Sequence, residues 1–276
     1  MALPGRLVLL GHPVAHSISP AFQNAALRAS GIPLVYEALD VTPTELDGCV
    51  DELVEHRAAG NVTIPHKERV ARRCAHLTPV AERVGAANSF RVDDAGTLLG
   101  HNTDVAGFDH LARSALGDAP LPRRVAVLGA GGAAAAVLAA IEAWPHCSVV
   151  LCNRNLARAA ALAERFPVVA RTVSDAALAV EESELVVNTT PLGLHPGDPF
   201  PVEIEALPAG AVLVDLVYGR AETAWVRAAR AVGHHAVDGL DMLLEQGALA
   251  FEWWFGVPAP RHEMQAAMPR ESGDPC

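Results

Sequence analysis

Near the middle of the chain, Arg124-Val-Ala-Val-Leu-Gly-Ala-Gly-Gly-Ala-Ala134 constrains the fold more than any other stretch. It reads as an apolar strand, a glycine turn and an alanine-rich helix, with the spacing G-x-G-x-x-A. Gly129 makes the tight turn and Gly131 lets the backbone come close to a pyrophosphate. Ala134 fills the close helix–strand contact, and Ala130, Gly132 and Ala133 complete the turn. The start of the helix then offers free N–H groups and the positive end of its dipole to phosphate. A strand that feeds a helix in this way continues into a parallel neighbour, so an α/β architecture with a doubly wound sheet is expected.

The rest of the pattern extends that expectation. Strands at Val125 to Leu128, Ser148 to Cys152, Leu185 to Asn188 and Val212 to Asp215 alternate with helices near Gly132 to Ala143, Leu156 to Arg165 and Glu222 to Val232. Upstream, strands at Arg6 to Leu10, Val35 to Leu39 and Asn61 to Ile64 alternate with helices from Ser19 toward Gly31, over Thr44 to Glu55, and from Pro65. Ser89 to Val92 and Thr97 to Gly100 flank Asp93-Asp94-Ala95-Gly96, a hairpin signal, and Thr103 to Leu116 reads as a helix leaving this part. A proline-bearing polar link, Gly117 to Arg123, separates the two halves.

Two domains follow: residues 1–105, completed by helices over 240–268, and a Rossmann-type domain over 106–239, with a cleft between them. The helix Met242 to Phe255 is apolar over most of its surface and is expected to be buried against the first domain. Trp253 and Trp254 on it read as packing, and 269–276 as a loose polar tail.

Composition removes several classes of function. At 276 residues, 51% hydrophobic and 19% charged, the chain can bury a sizeable core. A net charge of −11 argues against nucleic acid and against anionic membrane surfaces. The uncharged run Val125 to Ile141 is short for a span and is broken by glycines, so no membrane segment is expected. Five scattered cysteines without a CxxC pair and twelve histidines without a ligand pattern predict neither a disulfide framework nor a metal site, and fit a cytoplasmic protein. Of 21 basic residues, one alone is lysine, Lys67. Lysine can pass a proton, whereas arginine stays charged.

The strand after the glycine turn decides which dinucleotide fits. An Asp or Glu usually stands at its end to hold a ribose 2′-hydroxyl. Here the chain reads Asn153-Arg154-Asn155-Leu156-Ala157-Arg158, with no acid until Glu164. Arg154 and Arg158, four apart at a helix start, oppose the helix dipole unless an anion sits between them. The expected cofactor is therefore NADP(H).

The first domain concentrates small polar groups. They lie in Gly11-His-Pro-Val-Ala-His-Ser17-Ile-Ser19-Pro20, in Gly60-Asn61-Val-Thr63-Ile-Pro65-His-Lys67, in Gly85-Ala-Ala-Asn88-Ser89, and in Gly100-His-Asn102-Thr-Asp104. Ser19 alone reads as a helix cap, but four such phrases favour a polyhydroxylated ligand. Lys67 can protonate a developing alkoxide while Asp104 holds its ammonium.

Several of these phrases, with Gly129-Ala-Gly-Gly-Ala133, Asn153-Arg154 and Asp238-Gly239-Leu-Asp-Met-Leu-Leu-Glu-Gln246, make the sequence resemble the shikimate dehydrogenases over nearly its whole length. The resemblance implies NADPH-dependent reduction of 3-dehydroshikimate to shikimate, on the route to aromatic amino acids. By it, Ser17 and Ser19 hold the substrate carboxylate with Tyr218 nearby. Thr63, Asn88, Asp104 and Gln246 bind hydroxyls, Lys67 and Asp104 form the catalytic pair, and Leu216 and Gly239 line the nicotinamide side. Ala87 and Ser89 replace the more usual Val and Thr, and Asn155 a frequent Thr. Ser19, where quinate-using relatives often carry Thr, leans toward shikimate over quinate or an aminated analogue. A catalytically silent NADP-sensing homologue is the alternative from another class, and a monomer or a homodimer is expected.

Overall fold

The computed structural model describes residues 3–195, 197–219 and 221–268. The tail expected at 269–276 lies outside the described residues. The chain divides into two units: one runs up to Gly107 and resumes at Leu243, and the other spans Phe108 to Met242. The division falls inside two long helices.

In the first unit, strands β1 (Leu7–Gly11), β2 (Tyr36–Asp40), β3 (Ala59–Val62), β4 (His76–Leu77), β5 (Ser89–Val92) and β6 (Leu98–His101) form one sheet in the order β2-β1-β3-β5-β6-β4. β1 pairs in parallel with β2 and β3, as βα alternation demands. β5 is antiparallel to both β3 and β6. The hairpin β5–β6 closes where Asp93 Oδ1 accepts from Ala95 N and Thr97 N and Gly96 takes φ +81°. The helices are α1 (Ser19–Ala29), α2 (Leu46–Glu55), α3 (Lys67–Arg73), α4 (Pro79–Val84) and the start of α5 (Asp104–Leu116).

One face of this sheet buries Val8, Leu10, Val62, Phe90 and Leu98 against Leu46, Val50, Leu53 and Val70. The strand expected over Asn61 to Ile64 pairs two residues earlier. Thr63 and Ile64 stay alongside β1 beyond the paired residues, with Thr63 N donating to Leu10 O within β1 and His12 N, just after it, donating to Ile64 O. The following helix accordingly starts at Lys67 instead of Pro65.

In the second unit, β7 (Arg124–Leu128), β8 (Ser148–Cys152), β9 (Val169–Val173), β10 (Leu185–Asn188), β11 (Val212–Asp215) and β12 (Ala236–Val237) form a parallel sheet in the order β9-β8-β7-β10-β11-β12. That order reverses direction between β7 and β10, so the C-terminal ends of these two strands make the switch point where open α/β sheets take ligands. Helices α6 (Gly132–Ile141), α7 (Leu156–Ala163), α8 (Ala176–Val180) and α9 (Ala224–Ala231) connect the strands. β7 and β10 are apolar nearly throughout because both of their faces are covered.

Helices α10 (Leu240–Phe255) and α11 (Arg261–Ala266) finish the chain. Within the first unit α10 packs on α1 at Gly247, where a Cβ would lie 2.5 Å from the Phe22 ring. Gln23 Nε2, fully buried, donates to the Gly247 carbonyl at 2.9 Å. Arg261 holds α11 to α10 through Glu245 and Glu252.

Candidate active site

Asn102 and Asp104 lie where β6 gives way to α5. Asp104 N donates to Asn102 Oδ1, and Asn102 Nδ2 donates to Ala86 O, so the first turn of α5 is fixed by buried side-chain acceptors. The Asp104 carboxylate, 10% exposed, then meets Lys67 at the start of α3, with Nζ to Oδ2 2.8 Å and the lysine side chain 23% exposed. The Lys67 carbonyl accepts from Ala87 N, which ties the start of α3 to the strand that delivers Asn88.

Asn88 is 2% exposed and organises this pair. Its Oδ1 accepts from Thr103 N at 2.7 Å, and its Nδ2 lies 2.8 Å from Asp104 Oδ1, 2.9 Å from Thr103 Oγ1 and 3.2 Å from Gln246 Oε1. An amide has two hydrogens for these three acceptors. The amide therefore shares its hydrogens among them, while the Thr103 hydroxyl can itself donate to Asn88 Oδ1 at 3.3 Å. Gln246, on α10, places its Nε2 on Leu243 O at 2.8 Å.

Four of the expected residues, Lys67, Asp104, Asn88 and Gln246, thus form one connected network with the neighbouring Thr103. Ser17 and Ser19 stand beside each other at the start of α1, where Ser19 N donates to Ser17 Oγ at 3.2 Å. Ser19 is not the helix cap that its sequence context suggests: Ile18 occupies that position and no side chain caps the helix. Thr63 packs its methyl against Gly11, where a Cβ would come within 2.3 Å of it, so β1 and the Thr63 segment approach with no room for a larger residue. Tyr218 stands in the second unit, after β11, whereas the Lys67 network belongs to the first.

The second unit holds the remaining candidates. Gly129 takes φ +113°, and a Cβ there would lie 2.4 Å from Thr189 Oγ1. Glycine is required twice over, by backbone sign and by space. Gly131 precedes α6 in extended conformation with no side-chain cap, leaving the first N–H groups of that helix open to an anion.

Asn155 caps α7 by accepting from Arg158 N, and Arg158 Nε donates to Ala130 O at 2.9 Å. The Arg158 guanidinium therefore already lies along the glycine turn. Arg154 is exposed and makes no ion pair among the described residues. Asn153 Nδ2 donates to Asn155 O. These groups fit a dinucleotide with a phosphate on its adenosine ribose: a backbone cradle for the pyrophosphate, two guanidinium groups at the strand end, and no carboxylate to bind a free 2′-hydroxyl. Leu216 and Gly239 approach each other closely, since a Cβ on Gly239 would sit 2.6 Å from Leu216 O.

Sequence reasoning did not single out Thr103, nor the buried pair Asn188 and Asp215 that ends β10 and β11. The available signal was a polar residue closing each of two apolar strands, Leu185-Val-Val-Asn188 and Val212-Leu-Val-Asp215. Burial pushes the Asp215 carboxyl up, against hydrogen bonds from Thr223, Asn188 and Val217 that draw it down. Among the described residues no cluster of His, Cys, Asp or Glu could hold a metal ion, and no helix is long and apolar enough to cross a membrane.

Comparison with known proteins gives the family of the chain. The family model described as the shikimate dehydrogenase substrate binding domain matches residues 9–90. The shikimate / quinate 5-dehydrogenase model matches 110–195, and the shikimate 5'-dehydrogenase C-terminal domain matches 239–268. A shikimate dehydrogenase (NADP(+)) of Symbiobacterium thermophilum is 42% identical over 96% of this chain and 94% of its own. Shikimate dehydrogenase from Aquifex aeolicus superposes with a TM-score of 0.88 at 33% identity, covering 95% of this chain and 97% of that one. The shikimate 5-dehydrogenase of Thermus thermophilus, solved in complex with NADP(H) and shikimate, superposes with a TM-score of 0.85 at 38% identity, covering 97% and 98%.

Proposed function

We propose that this chain, which belongs to the shikimate dehydrogenase family, is an oxidoreductase that reversibly reduces 3-dehydroshikimate to shikimate with NADPH. The observation that carries the reading is the contact of Lys67 Nζ with Asp104 Oδ2 at 2.8 Å, beside Asn88, Thr103 and Gln246, which are buried and hydrogen-bonded to one another. The bound reduced nicotinamide supplies the hydride to the carbonyl carbon.

The charge that develops on the carbonyl oxygen needs a positioned cation and then a proton, and Lys67 supplies both. Asp104, held through its other oxygen by Asn88, keeps the ammonium aimed while the lysine gives up its proton. Solvent reprotonates Lys67 through its exposed edge. In the reverse direction Lys67 takes the proton of the hydroxyl.

Ser17 and Ser19, with Tyr218, are assigned to the substrate carboxylate, and Thr63, Asn88, Asp104 and Gln246 to its hydroxyls. Gly129, Ala130, Gly131, Gly132 and Ala133 would hold the pyrophosphate, and Arg154, Arg158 and Asn153 the adenosine phosphate. Leu216 and Gly239 would border the nicotinamide. Among the described residues Cys49, Cys74, Cys147 and Cys152 are free thiols, which suits a reducing, cytoplasmic setting.

The test follows the loss of reduced-nicotinamide absorbance with 3-dehydroshikimate, repeated with NADH, and the reverse reaction on shikimate and quinate. Turnover of 3-dehydroshikimate with NADPH, and of shikimate well ahead of quinate, is expected. Preference for quinate or an aminated analogue would move the chain to a sister activity, and cofactor binding without turnover would make it a sensor. Lys67→Arg keeps the charge but withholds the proton, and is expected to lower kcat by on the order of a hundredfold or more. A fully active Lys67→Arg enzyme would reduce Lys67 to a binding group.

A further inference from the structure

The buried carboxylate of Asp215 takes no part in the reaction described above, yet both of its oxygens are bonded by donors from outside its own strand. It is 0% exposed, and three donors from three stretches of chain meet on it. Asn188 Nδ2, at the end of β10, donates to Oδ1 at 2.8 Å. Val217 N, just beyond β11, donates to the same oxygen at 3.1 Å. Thr223 Oγ1, at the start of α9, donates to Oδ2 at 2.7 Å.

Two of these donors are themselves committed. The Asn188 amide also donates to Leu192 O, while its Oδ1 accepts from Thr190 N and Thr190 Oγ1. Leu216 N donates to Asn188 O. Thr223 accepts from Val226 N as it donates to Asp215. The next residue after Asn188, Thr189, donates to Leu128 O at 2.7 Å and presses on Gly129. The chain of contacts runs from Asp215 through Asn188 to the glycine turn, along the carboxyl ends of β11, β10 and β7, beside the switch point of the sheet.

We propose that Asp215 is a positioning residue: it fixes the loops 189–193 and 216–219 that border the nicotinamide end of the cofactor, while leaving the adenosine end to the glycine turn and the arginines. This rests on the function proposed above. The requirement for a carboxylate follows from counting donors. Asparagine offers one acceptor oxygen. Turned toward Thr223, it sets its NH2 against Asn188 Nδ2 and Val217 N. Turned the other way, it leaves the buried Thr223 hydroxyl hydrogen without an acceptor. Either way one loop must shift, and a displacement of about 1 Å at a reacting centre is felt strongly in rate.

The experiment compares wild type with Asp215→Asn, Thr223→Val and Thr223→Ser. Steady-state constants, the deuterium isotope effect with NADPH labelled at the transferred position, and calorimetric binding of NADPH and of 2′,5′-ADP are measured. Asp215→Asn is expected to raise KM and Kd for NADPH and to lower kcat, each by about tenfold, with a larger isotope effect. Affinity for 2′,5′-ADP, which lacks the nicotinamide half, stays within about twofold. Thr223→Val moves the same quantities less, Thr223→Ser restores them, and Thr223→Val carries the test should Asp215→Asn fail to fold.

Parallel weakening of 2′,5′-ADP and NADPH would overturn the proposal, since it would mean a loosened unit instead of misplaced loops. Unchanged constants in both variants would overturn it equally. Absence of turnover in the wild type would sink the proposed reaction alone, because the NADPH to 2′,5′-ADP affinity ratio still reads the loops.

Discussion

In the unit that carries Lys67 the atoms proposed to act belong to side chains bonded to one another, whereas in the unit that carries Gly129 they belong largely to the backbone. Lys67, Asp104, Asn88, Thr103 and Gln246 form a closed set of buried or half-buried groups in which each member orients the next. The glycine turn and the start of α6 present N–H groups whose directions follow from φ and ψ, with exposed arginines added at the rim. A side-chain network depends on the identity of every member. A backbone cradle depends on the few positions where a side chain would obstruct it.

The widest separation of the two regions is expected from Asp104→Asn, which leaves Lys67 unaimed and the Asn88 amide facing another amide. Activity should fall by on the order of a hundred- to ten-thousandfold, while calorimetric affinity for 2′,5′-ADP stays unchanged. A matching loss of cofactor affinity would break the contrast. Gly129→Ala tests the backbone side. The positive φ and the 2.4 Å approach to Thr189 Oγ1 both oppose a methyl. KM for NADPH should rise by about tenfold or more, and the melting temperature should fall by several degrees, as about 1–3 kcal/mol of strain implies. Unaltered NADPH binding would show that the turn is not the cradle.

Smaller again is Arg154→Ala, expected to raise KM for NADPH by about tenfold and to leave NADH little affected, as loss of one charge-assisted contact predicts. Equal effects on both cofactors would remove the phosphate assignment.

The mildest contrast concerns acid. In the first unit Asp40, Glu45, Asp47 and Asp93 are held below their usual range, by His12, by Thr42, by Arg69 and by the Thr97 backbone respectively. Carboxyls depressed by folding contribute stability that is present above about pH 4–5 and is lost as pH falls through their lowered values. In the second unit Asp198 behaves likewise, but desolvation pushes the buried Asp215 and the half-buried Asp238 up, so acid relieves those two charges. Between about pH 5 and pH 3 the first unit should therefore lose protection ahead of the second, measured by hydrogen exchange corrected for intrinsic rate. Earlier opening of the second unit would contradict it.

The same contrast explains what could be read from the sequence. Long apolar runs announced themselves: Ser148–Cys152, Leu185–Asn188 and Val212–Asp215 are strands with the expected bounds, because a parallel core strand is apolar without interruption. Short or half-exposed strands carry no such signal, and His76–Leu77, Val169–Val173 and Ala236–Val237 went unread. Lys67 and Asp104 were legible from chemistry and resemblance, and their 2.8 Å contact from neither periodicity nor spacing, since 37 residues separate them. Asn188 and Asp215 were hidden because one polar residue at a strand end looks like a turn. Only the register of β10 against β11, which sets Asn188 opposite Asp215, makes them a pair.

Gly247 has one more consequence. With Phe22 against its backbone and Gln23 bonded to its carbonyl, α10 is seated closely on α1, and this contact sets the spacing between the serines at one helix start and Gln246 on the other helix. Under the proposed function such a pair would work as a caliper of fixed gap, taking a ring whose carboxylate and hydroxyls match the span with no moving part needed for the choice.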